Sequence, residues 1–333
     1  MTWLLLGLPI GINAAILIYL GLQSGEIAVR RSLLMHVDRQ TAFDRVTDLK
    51  GWPDWSPWLL HEPNARVELS EQSDLERGWY ACDGKLIGAG RITHVRFDAP
   101  ERIEQRIAFE RPFKATGAVS WEFAERDGGT EVFWLMRGRM PFMLRFLAPT
   151  MSRLLAKDYD LGLALLRARL DPDADQLAIR FVGDVERPAQ GALTIPFDGD
   201  LKAMVAAMRR GFPRLAAAAA ERGIEPAGPL FTAYHKADPK SGHFRCDLAL
   251  PVPDGTAAGE LDLKHLGGGR YYLAEVQGSY DFLEPAWYSV MAHLRMIKEK
   301  WDPGRPSLEV YAVDPETAAS PDDILTQIYV PVR

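Results

Sequence analysis

The second half of the chain contains an internal repeat, which limits the folds that it can adopt. In each copy, two predicted strands precede a helix, and two further strands follow it. The matching residues Pro229 and Pro306 lie 77 residues apart, and Pro253 and Pro331 lie 78 apart. A near-constant offset indicates one structural unit used twice. Two strand-helix-strand-strand units can join their sheets and place both helices on one face, with a groove between them.

A second constraint lies at the N-terminus, where residues 3–22 include no charged side chain. The hydrocarbon core of a bilayer is about 30 Å thick and needs roughly 20 apolar residues in a helix. Residues 3–22 therefore predict a transmembrane helix. A cleaved signal peptide and a buried soluble helix are the alternatives. The signal peptide is less favoured because no basic residue precedes the apolar stretch.

The charges that follow this segment predict its orientation. Arg30 and Arg31 come soon after it, and no basic residue precedes it. The positive-inside rule then places the long C-terminal part in the cytoplasm. We therefore expect a single-pass protein of a bacterial-type inner (cytoplasmic) membrane, with its soluble domains on the cytoplasmic side.

The composition of the whole chain excludes several classes of function. Of 333 residues, 47% are hydrophobic and 25% are charged, and the net charge is -6. This acidic balance argues against a nucleic-acid partner, which would need a broad basic surface. Two cysteines, Cys82 and Cys246, are too few for a disulfide framework or a four-cysteine zinc site. We expect no metal and no cofactor.

Residues 25–170 predict an α+β domain. A strand is expected over 26–35 and a helix over 39–48. From 103 to 137 apolar residues alternate with polar ones, as they do in antiparallel strands with one buried side. A long closing segment, 147–170, has leucines at helical spacing. This order of elements predicts a curved antiparallel sheet that wraps one helix.

Three segments of this region resemble the SRPBCC group, the START-like and polyketide-cyclase-like helix-grip domains. They are DLKGWPDWSPW, AFERPFKATGAVSWEF and AKDYDLGLALLRARL. The resemblance implies an apolar cavity between the sheet and the final helix, open to a hydrophobic ligand, and no fixed catalytic set. The cavity candidates are Gln105, Trp121, Phe123 and Trp134. Core packing is the alternative role of the three aromatic residues, and satisfying a backbone group is that of Gln105.

After a solvated linker at 171–175, residues 176–333 resemble the GyrI-like, or gyrase-inhibitor-like, effector-binding domain. GGGRYYLAEVQGSYDFLEPAWYSVMAHL and LTQIYVPV include the matching motifs. The resemblance implies a pseudo-twofold pair of units with an aromatic-lined cleft for small, often cationic and apolar molecules. The family places a Glu just before the Ile-Tyr-x-Pro segment of the last strand. Here Gln327 takes that place, and Gln can neither neutralise a buried cation nor act as a general base.

Eight residues are candidates for this cleft by their position and by strand or helix period. Tyr272 and Glu275 lie on opposite faces of one strand, so only one of them can point inward. Glu275 could replace the missing carboxylate if it faces the cleft. Core packing is the alternative role of each aromatic residue. The full set is Gln327, Tyr329, Tyr288, Trp287, Met291, Tyr272, Tyr234 and Glu275.

One further cluster does not predict a site. His235 and His243 flank Asp238 in a segment rich in Pro and Gly. Zinc needs more convergent ligands than this spacing offers. We therefore expect a surface loop there.

The sequence as a whole predicts a membrane-anchored protein that binds or senses a small hydrophobic, aromatic or lipid-like ligand. No catalytic residue is predicted, and an enzyme is the less favoured interpretation. Two alternatives stay open. One is a hydrolase acting on a reactive small molecule in the GyrI-like cleft, which Gln327 disfavours. The other is an accessory subunit of a membrane protein complex, docked through a helix in which Gly7, Gly11 and Ala15 recur every four residues.

Overall fold

A computed structural model of the chain describes residues 17–171, 174–238, 241–257 and 259–333. It forms two compact units, one ending at Ala174 and the other spanning Asp175–Arg333. The predicted transmembrane helix, 3–22, falls mostly outside the described residues, although 17–22 are helical. Within the described ranges, no helix has both the length and the apolar character needed to cross a membrane.

The first unit is built on an antiparallel sheet. Its strands are β1 (Glu26–Met35), β2 (Arg66–Leu69), β3 (Trp79–Asp83), β4 (Ala89–Asp98), β5 (Arg102–Arg111), β6 (Ala115–Arg126) and β7 (Gly129–Arg139). The helices are α1 (Arg39–Thr47), α2 (Pro57–His61) and α3 (Ala148–Leu170), with 3₁₀ turns at Leu49–Asp54 and Phe142–Leu147. The strand order is β1-β7-β6-β5-β4-β3-β2, so the first strand of this unit pairs with its last strand, and β1 and β2 form the two edges of the sheet.

Local sequence explains how the tryptophan-rich segment 51–58 is held against the sheet. The Asp38 side chain accepts a hydrogen bond from the Thr41 backbone N–H and caps α1, and Ser56 caps α2 in the same way. Between the two helices, Trp52 Nε1 donates to the Val46 carbonyl oxygen at 2.8 Å. The Trp52 ring then lies 6.1 Å from the ring of Trp121 on β6. The segment therefore supplies core side chains that cover the sheet.

The second unit contains the two copies of the repeat. The first copy consists of β8 (Ala178–Arg187), β9 (Gln190–Asp200), α4 (Leu201–Glu221), β10 (Phe231–Asp238) and β11 (His243–Pro251). The second consists of β12 (Asp262–Leu266), β13 (Gly269–Gln277), α5 (Leu283–Ile297), β14 (Ser307–Val313) and β15 (Leu325–Pro331). Both sheets of the chain are antiparallel and are covered by helices, which confirms the predicted α+β class.

The two copies exchange their first strands. The strand order is β12-β9-β11-β10-β14-β15-β13-β8, so β12 of the second copy pairs with β9 of the first, and β8 pairs with β13. Read inward from either end, the order is the same within each half. The pseudo-twofold axis therefore passes between β10 and β14, the two strands that meet at the centre of the sheet.

The two faces of this sheet have different surroundings. One face forms a hydrophobic cluster to which every strand of the sheet contributes, so the sheet must be strongly curved. The members of this inner cluster are Val185, Ala192, Phe231, Ala233, Ala249, Leu266, Tyr271, Leu273, Leu308, Val310 and Tyr329. The helices cover the other face, where Leu215 of α4 packs with Leu248 of β11.

Candidate functional site

A buried carboxylate, Glu309, lies on the helix-covered face of the second sheet. Tyr311 Oη donates to Glu309 Oε1 at 2.7 Å, and Tyr234 Oη donates to the same oxygen at 3.3 Å. Trp287 Nε1 donates to Oε2 at 2.5 Å. Glu309 is only 4% exposed. Three aromatic side chains from two strands and one helix therefore converge on one carboxyl group.

The surroundings of Glu309 disfavour its ionised form. Burial raises the pKa of the Glu309 carboxyl, and the hydrogen bonds from Trp287, Tyr311 and Tyr234 offset only part of that rise. Among the described residues, no cation contributes to the shift. Burial also raises the pKa of the Tyr234 and Tyr311 hydroxyls, which stay protonated and act as donors. The site therefore holds an acidic group with no positive partner in the described ranges.

Side chains from both helices of the second unit surround Glu309 and Tyr311. The Tyr311 ring is 5.4 Å from Phe212 of α4 and 5.5 Å from Tyr280, which precedes α5. The Trp287 ring of α5 is 5.9 Å from the Tyr234 ring. Trp287, Tyr234 and Tyr280 are half-buried, whereas Glu309 is buried. The arrangement is an aromatic rim above a carboxyl group, which suits a flat organic cation.

The eight candidate cleft residues divide between the two faces of the sheet. Trp287 and Tyr234 meet at Glu309, and Tyr272 is on the same face, with its ring 5.7 Å from that of His293 on α5. Tyr288 and Met291 are half-buried on α5. The remaining three, which are Gln327, Tyr329 and Glu275, lie on the inner face.

Strand period and register explain the inner position of these three residues. Glu275 is paired with Gln327, and Tyr329 with Leu308, which belongs to the inner cluster. Tyr329 Oη donates to Gln327 Oε1 at 3.0 Å, and Gln327 Nε2 donates to Glu275 Oε1 at 3.2 Å. Glu275 also forms an ion pair with Arg180. Glu275 therefore does not supply a carboxylate to the helix-covered face.

Sequence reasoning missed Glu309, although the repeat contained a signal for it. The 77-residue offset aligns Glu309 with Thr232 and Tyr311 with Tyr234. In the structure Thr232 lies directly opposite Glu309 across the β10–β14 pair, and Thr232 Oγ1 is 2.9 Å from Tyr311 Oη. A Glu between two apolar residues, in a strand next to the pseudo-twofold axis, was the observation to follow.

In the first unit, a chain of hydrogen bonds occupies the polar groups of the interior. Trp121 Nε1 donates to Gln105 Oε1 at 3.0 Å, and Gln105 Nε2 is 3.2 Å from His94 Nδ1. His94 Nε2 is 3.1 Å from the Thr47 carbonyl oxygen. These contacts assign the ring proton to Nε2. Burial lowers the pKa of His94 to about 4, so the ring is neutral at physiological pH. Gln105 therefore links two side chains.

The aromatic candidates of this unit pack against one another. The Trp121 and Trp134 rings stack at 4.3 Å, and Trp134 stacks on Tyr159 of α3 at 3.9 Å. Phe123 lies 5.6 Å from Phe43 of α1. All four cavity candidates are buried. A set of buried donors has no hydrogen-bond partner within the described ranges, namely Trp55 Nε1, Trp134 Nε1 and Tyr80 Oη.

Two of the histidines of the second unit, His235 and His243, lie beside different carboxylates. His235 Nε2 is 2.7 Å from Asp247 Oδ2, and His243 Nε2 is 2.9 Å from Asp198 Oδ1. Lys264 Nζ donates to the other Asp247 oxygen at 2.7 Å. In the part of the chain that the structure describes, no group of three or more His, Cys, Asp or Glu side chains is arranged to hold a metal ion.

Comparison with known proteins assigns each half of the chain. The model of the family described as polyketide cyclase / dehydrase and lipid transport matches residues 26–171. The model of the GyrI-like small molecule binding domain matches residues 185–333. No curated protein matches the chain significantly.

Solved structures resemble parts of the chain at low sequence identity. The EcmrR C-terminal domain is 17% identical, with a TM-score of 0.38, over 48% of this chain and 98% of that one. The di-domain ARO/CYC protein StfQ, from the steffimycin biosynthetic pathway, is 14% identical, with a TM-score of 0.36, over 44% and 51%. Protein CV1439 from Chromobacterium violaceum is 13% identical, with a TM-score of 0.35, over 44% and 98%.

The order of the two family matches is the order that the sequence motifs predicted. Both families indicate the binding of small molecules. The protein therefore combines an N-terminal domain of the polyketide cyclase and lipid transport type with a C-terminal GyrI-like small molecule binding domain.

Proposed function

We propose that the C-terminal domain binds a small, flat aromatic cation between α4 and α5, with Glu309 as the anionic group. The observation that supports this proposal is the convergence of Trp287, Tyr234 and Tyr311 on a buried carboxyl group with no cationic partner among the described residues. A bound cation would supply the missing positive charge. The charge pair would form away from water, where its attraction is strong.

Trp287 and Tyr234 give the ligand its shape requirement. Both rings are half-buried and their faces are large enough to contact a planar ring system. An aromatic ring attracts a cation through its quadrupole, and the attraction grows when water is excluded. The ligand would place its positive charge near Glu309 and would stack on the indole ring of Trp287. A planar monocation therefore fits this site better than a flexible or neutral molecule.

This proposal can be tested with two probes that differ mainly in charge. We expect the full-length protein, in mild detergent, to bind N-methylacridinium at least about tenfold more tightly than neutral acridine, because a buried charge pair is worth more than about 1.4 kcal/mol. Isothermal titration calorimetry, at a pH well above the pKa of acridine, measures both constants. Equal affinities would contradict a role for a buried carboxylate.

We also propose that the N-terminal domain holds a hydrophobic or lipid-like ligand and that residues 3–22 anchor the chain in a membrane. The unpartnered donors Trp55 Nε1, Trp134 Nε1 and Tyr80 Oη favour a ligand that brings hydrogen-bond acceptors into an aromatic interior. The uncharged sequence of 3–22 and the arginines after it favour a single-pass anchor with both domains in the cytoplasm. The protein would then sense or sequester ligands close to a bilayer.

A further inference from the structure

A group of large apolar side chains is exposed on the N-terminal domain, where the 3₁₀ turn Phe142–Leu147 leads into α3. Phe142, Met143 and Phe146 are 41%, 58% and 47% exposed, and Leu154, two turns further on, is 37% exposed. The 3₁₀ turn contains no buried residue. We call these four residues the Phe142 patch. Several large apolar side chains exposed on one short stretch of chain mark an interaction surface.

The Phe142 patch lies beside the end of the apolar N-terminal segment. The Met140 backbone N–H donates to the Gly25 carbonyl oxygen at 2.8 Å, and Arg145 Nη1 donates to the Gln23 carbonyl oxygen at 3.5 Å. The helical residues 17–22 end just before these contacts. Several of their side chains are exposed, namely Leu17, Ile18, Tyr19 and Leu22. Two exposed apolar surfaces therefore meet at one end of the domain.

The chain segment that contains the Phe142 patch is basic. Residues 132–157 include five basic side chains and no Asp or Glu, in a chain whose net charge is -6. The basic residues are Arg137, Arg139, Arg145, Arg153 and Lys157. The Arg145 guanidinium lies 4.9 Å from the centre of the Phe142 ring, so charge and apolar surface are interleaved. This combination is typical of segments that enter the headgroup region of an anionic bilayer.

We propose that the Phe142 patch inserts into the interface of a bilayer containing anionic lipid and so lays the N-terminal domain on the membrane surface. The direction in which the patch faces rests on the proposed anchor, but its affinity for lipid does not. A second copy of this chain is a poorer occupant, because it would bring five more positive charges against the same surface. Anionic headgroups complement those charges, and the acyl region accepts the aromatic side chains.

The patch can be tested with a fluorophore whose emission reports its surroundings. Burial raises the pKa of both native thiols, Cys82 and Cys246, so they react slowly, and a cysteine introduced by Met143→Cys can be labelled selectively with an NBD maleimide. Val95→Cys is the matched control, because Val95 is 49% exposed and lies on β4. The full-length variants are reconstituted into vesicles of phosphatidylcholine and phosphatidylglycerol.

We expect the emission of the Met143→Cys label to shift to the blue and to rise by about threefold or more in these vesicles, whereas the Val95→Cys label stays as in water. Equal emission from the two labels in vesicles would overturn the proposal. A rise that needs no lipid and follows protein concentration would overturn it in favour of contact between copies. An equal rise in pure phosphatidylcholine would overturn the role of the basic residues.

Alkaline carbonate extraction of the same vesicles tests the anchor separately. If the chain resists extraction but the Met143→Cys label shows the emission of an aqueous environment, the anchor is supported and membrane insertion of the Phe142 patch is contradicted. If carbonate extracts the chain, but the label shows the lipid-dependent rise in emission before extraction, the anchor is contradicted and membrane insertion of the Phe142 patch is supported.

Discussion

Replacing Glu309 by glutamine is expected to weaken the binding of N-methylacridinium by about 30- to 1000-fold. Removing one member of a buried, hydrogen-bonded charge pair costs about 2 to 4 kcal/mol. Glu309 is 4% exposed and accepts hydrogen bonds from Trp287, Tyr311 and Tyr234. Water therefore cannot enter to solvate the bound cation once the carboxylate is removed. Isothermal titration calorimetry on the full-length variant measures the loss.

The matched control is the reverse substitution on the other face of the sheet. Gln327→Glu introduces a carboxylate at the position where the resemblance to the GyrI-like family implies one, but Gln327 lies on the inner face beside Glu275. We expect the affinity for N-methylacridinium to change by less than about threefold, because the new charge does not reach α5. A large gain in affinity from Gln327→Glu would move the site to the inner face.

The effect of Glu309→Gln should also depend on pH. Burial raises the pKa of Glu309, and a cation binds best to the ionised carboxylate. As the pH increases toward that raised pKa, the affinity of the wild-type protein for the cation should increase by up to about tenfold per pH unit. Above the pKa, the affinity should be constant. The variant should show no such slope, and its affinity for neutral acridine should be unchanged if the fold is intact.

The second large effect concerns the acid stability of the N-terminal domain. His94 has a pKa of about 4 in the folded chain, compared with 6.5 for an ordinary histidine, because it is buried. The unfolded chain therefore binds more protons between these pH values. Stability from this group is complete above about pH 6.5 and is lost as the pH falls toward 4. The expected loss is about 3 kcal/mol.

Urea unfolding followed by tryptophan fluorescence measures this loss. Six of the nine tryptophans lie between residues 52 and 134, so the signal reports mainly on the N-terminal domain. His94→Gln removes the titrating ring and keeps a donor and an acceptor. Glu62 adds little to the pH dependence of stability between pH 6.5 and 5. Burial raises the pKa of its carboxyl, but three backbone N–H donors outweigh burial and lower the pKa below 4.5. If the free energy of unfolding changes equally with pH in the wild type and in His94→Gln, the loss of stability does not come from His94.

Much of the fold could be predicted from the sequence because its signals are local. Period-two alternation indicated the strands, and a constant offset indicated the repeat. The exact bounds of α5 are less evident from the sequence, because the helix is preceded by a 3₁₀ turn and is ended by Lys298 at a positive φ of 62°. The exchange of β8 and β12 between the two copies is set by strand pairing over long distances, and no local pattern contains it.

The candidate site was harder to predict because it depends on which face of a strand meets the helices. Trp287 and Tyr234 could be proposed from position, and the structure brings them together on one carboxylate. Gln327 was one of the cleft candidates because of its place in the family motif, but strand period turns its side chain to the inner face. Glu309 lies one strand away and faces the helices.

The interior of the N-terminal domain shows the same limit. The sequence indicates that Trp121 and Trp134 point inward, since each belongs to an alternating strand. Whether they line a cavity or fill it depends on side chains that arrive from elsewhere, such as Tyr159 on α3. The hydrogen bond between Gln105 and His94 likewise joins β5 to β4 and has no counterpart in local sequence.

The most direct test of the proposed cation site is to locate a bound cation. A crystal of the full-length protein grown with a brominated N-methylacridinium would show the bromine by its anomalous scattering. We predict one ordered bromine beside the Trp287 and Tyr234 rings, on the helix-covered face above Glu309. Ordered bromine on the inner face beside Gln327 and Tyr329, or only in the N-terminal domain, would contradict the assignment of Glu309 as the binding carboxylate.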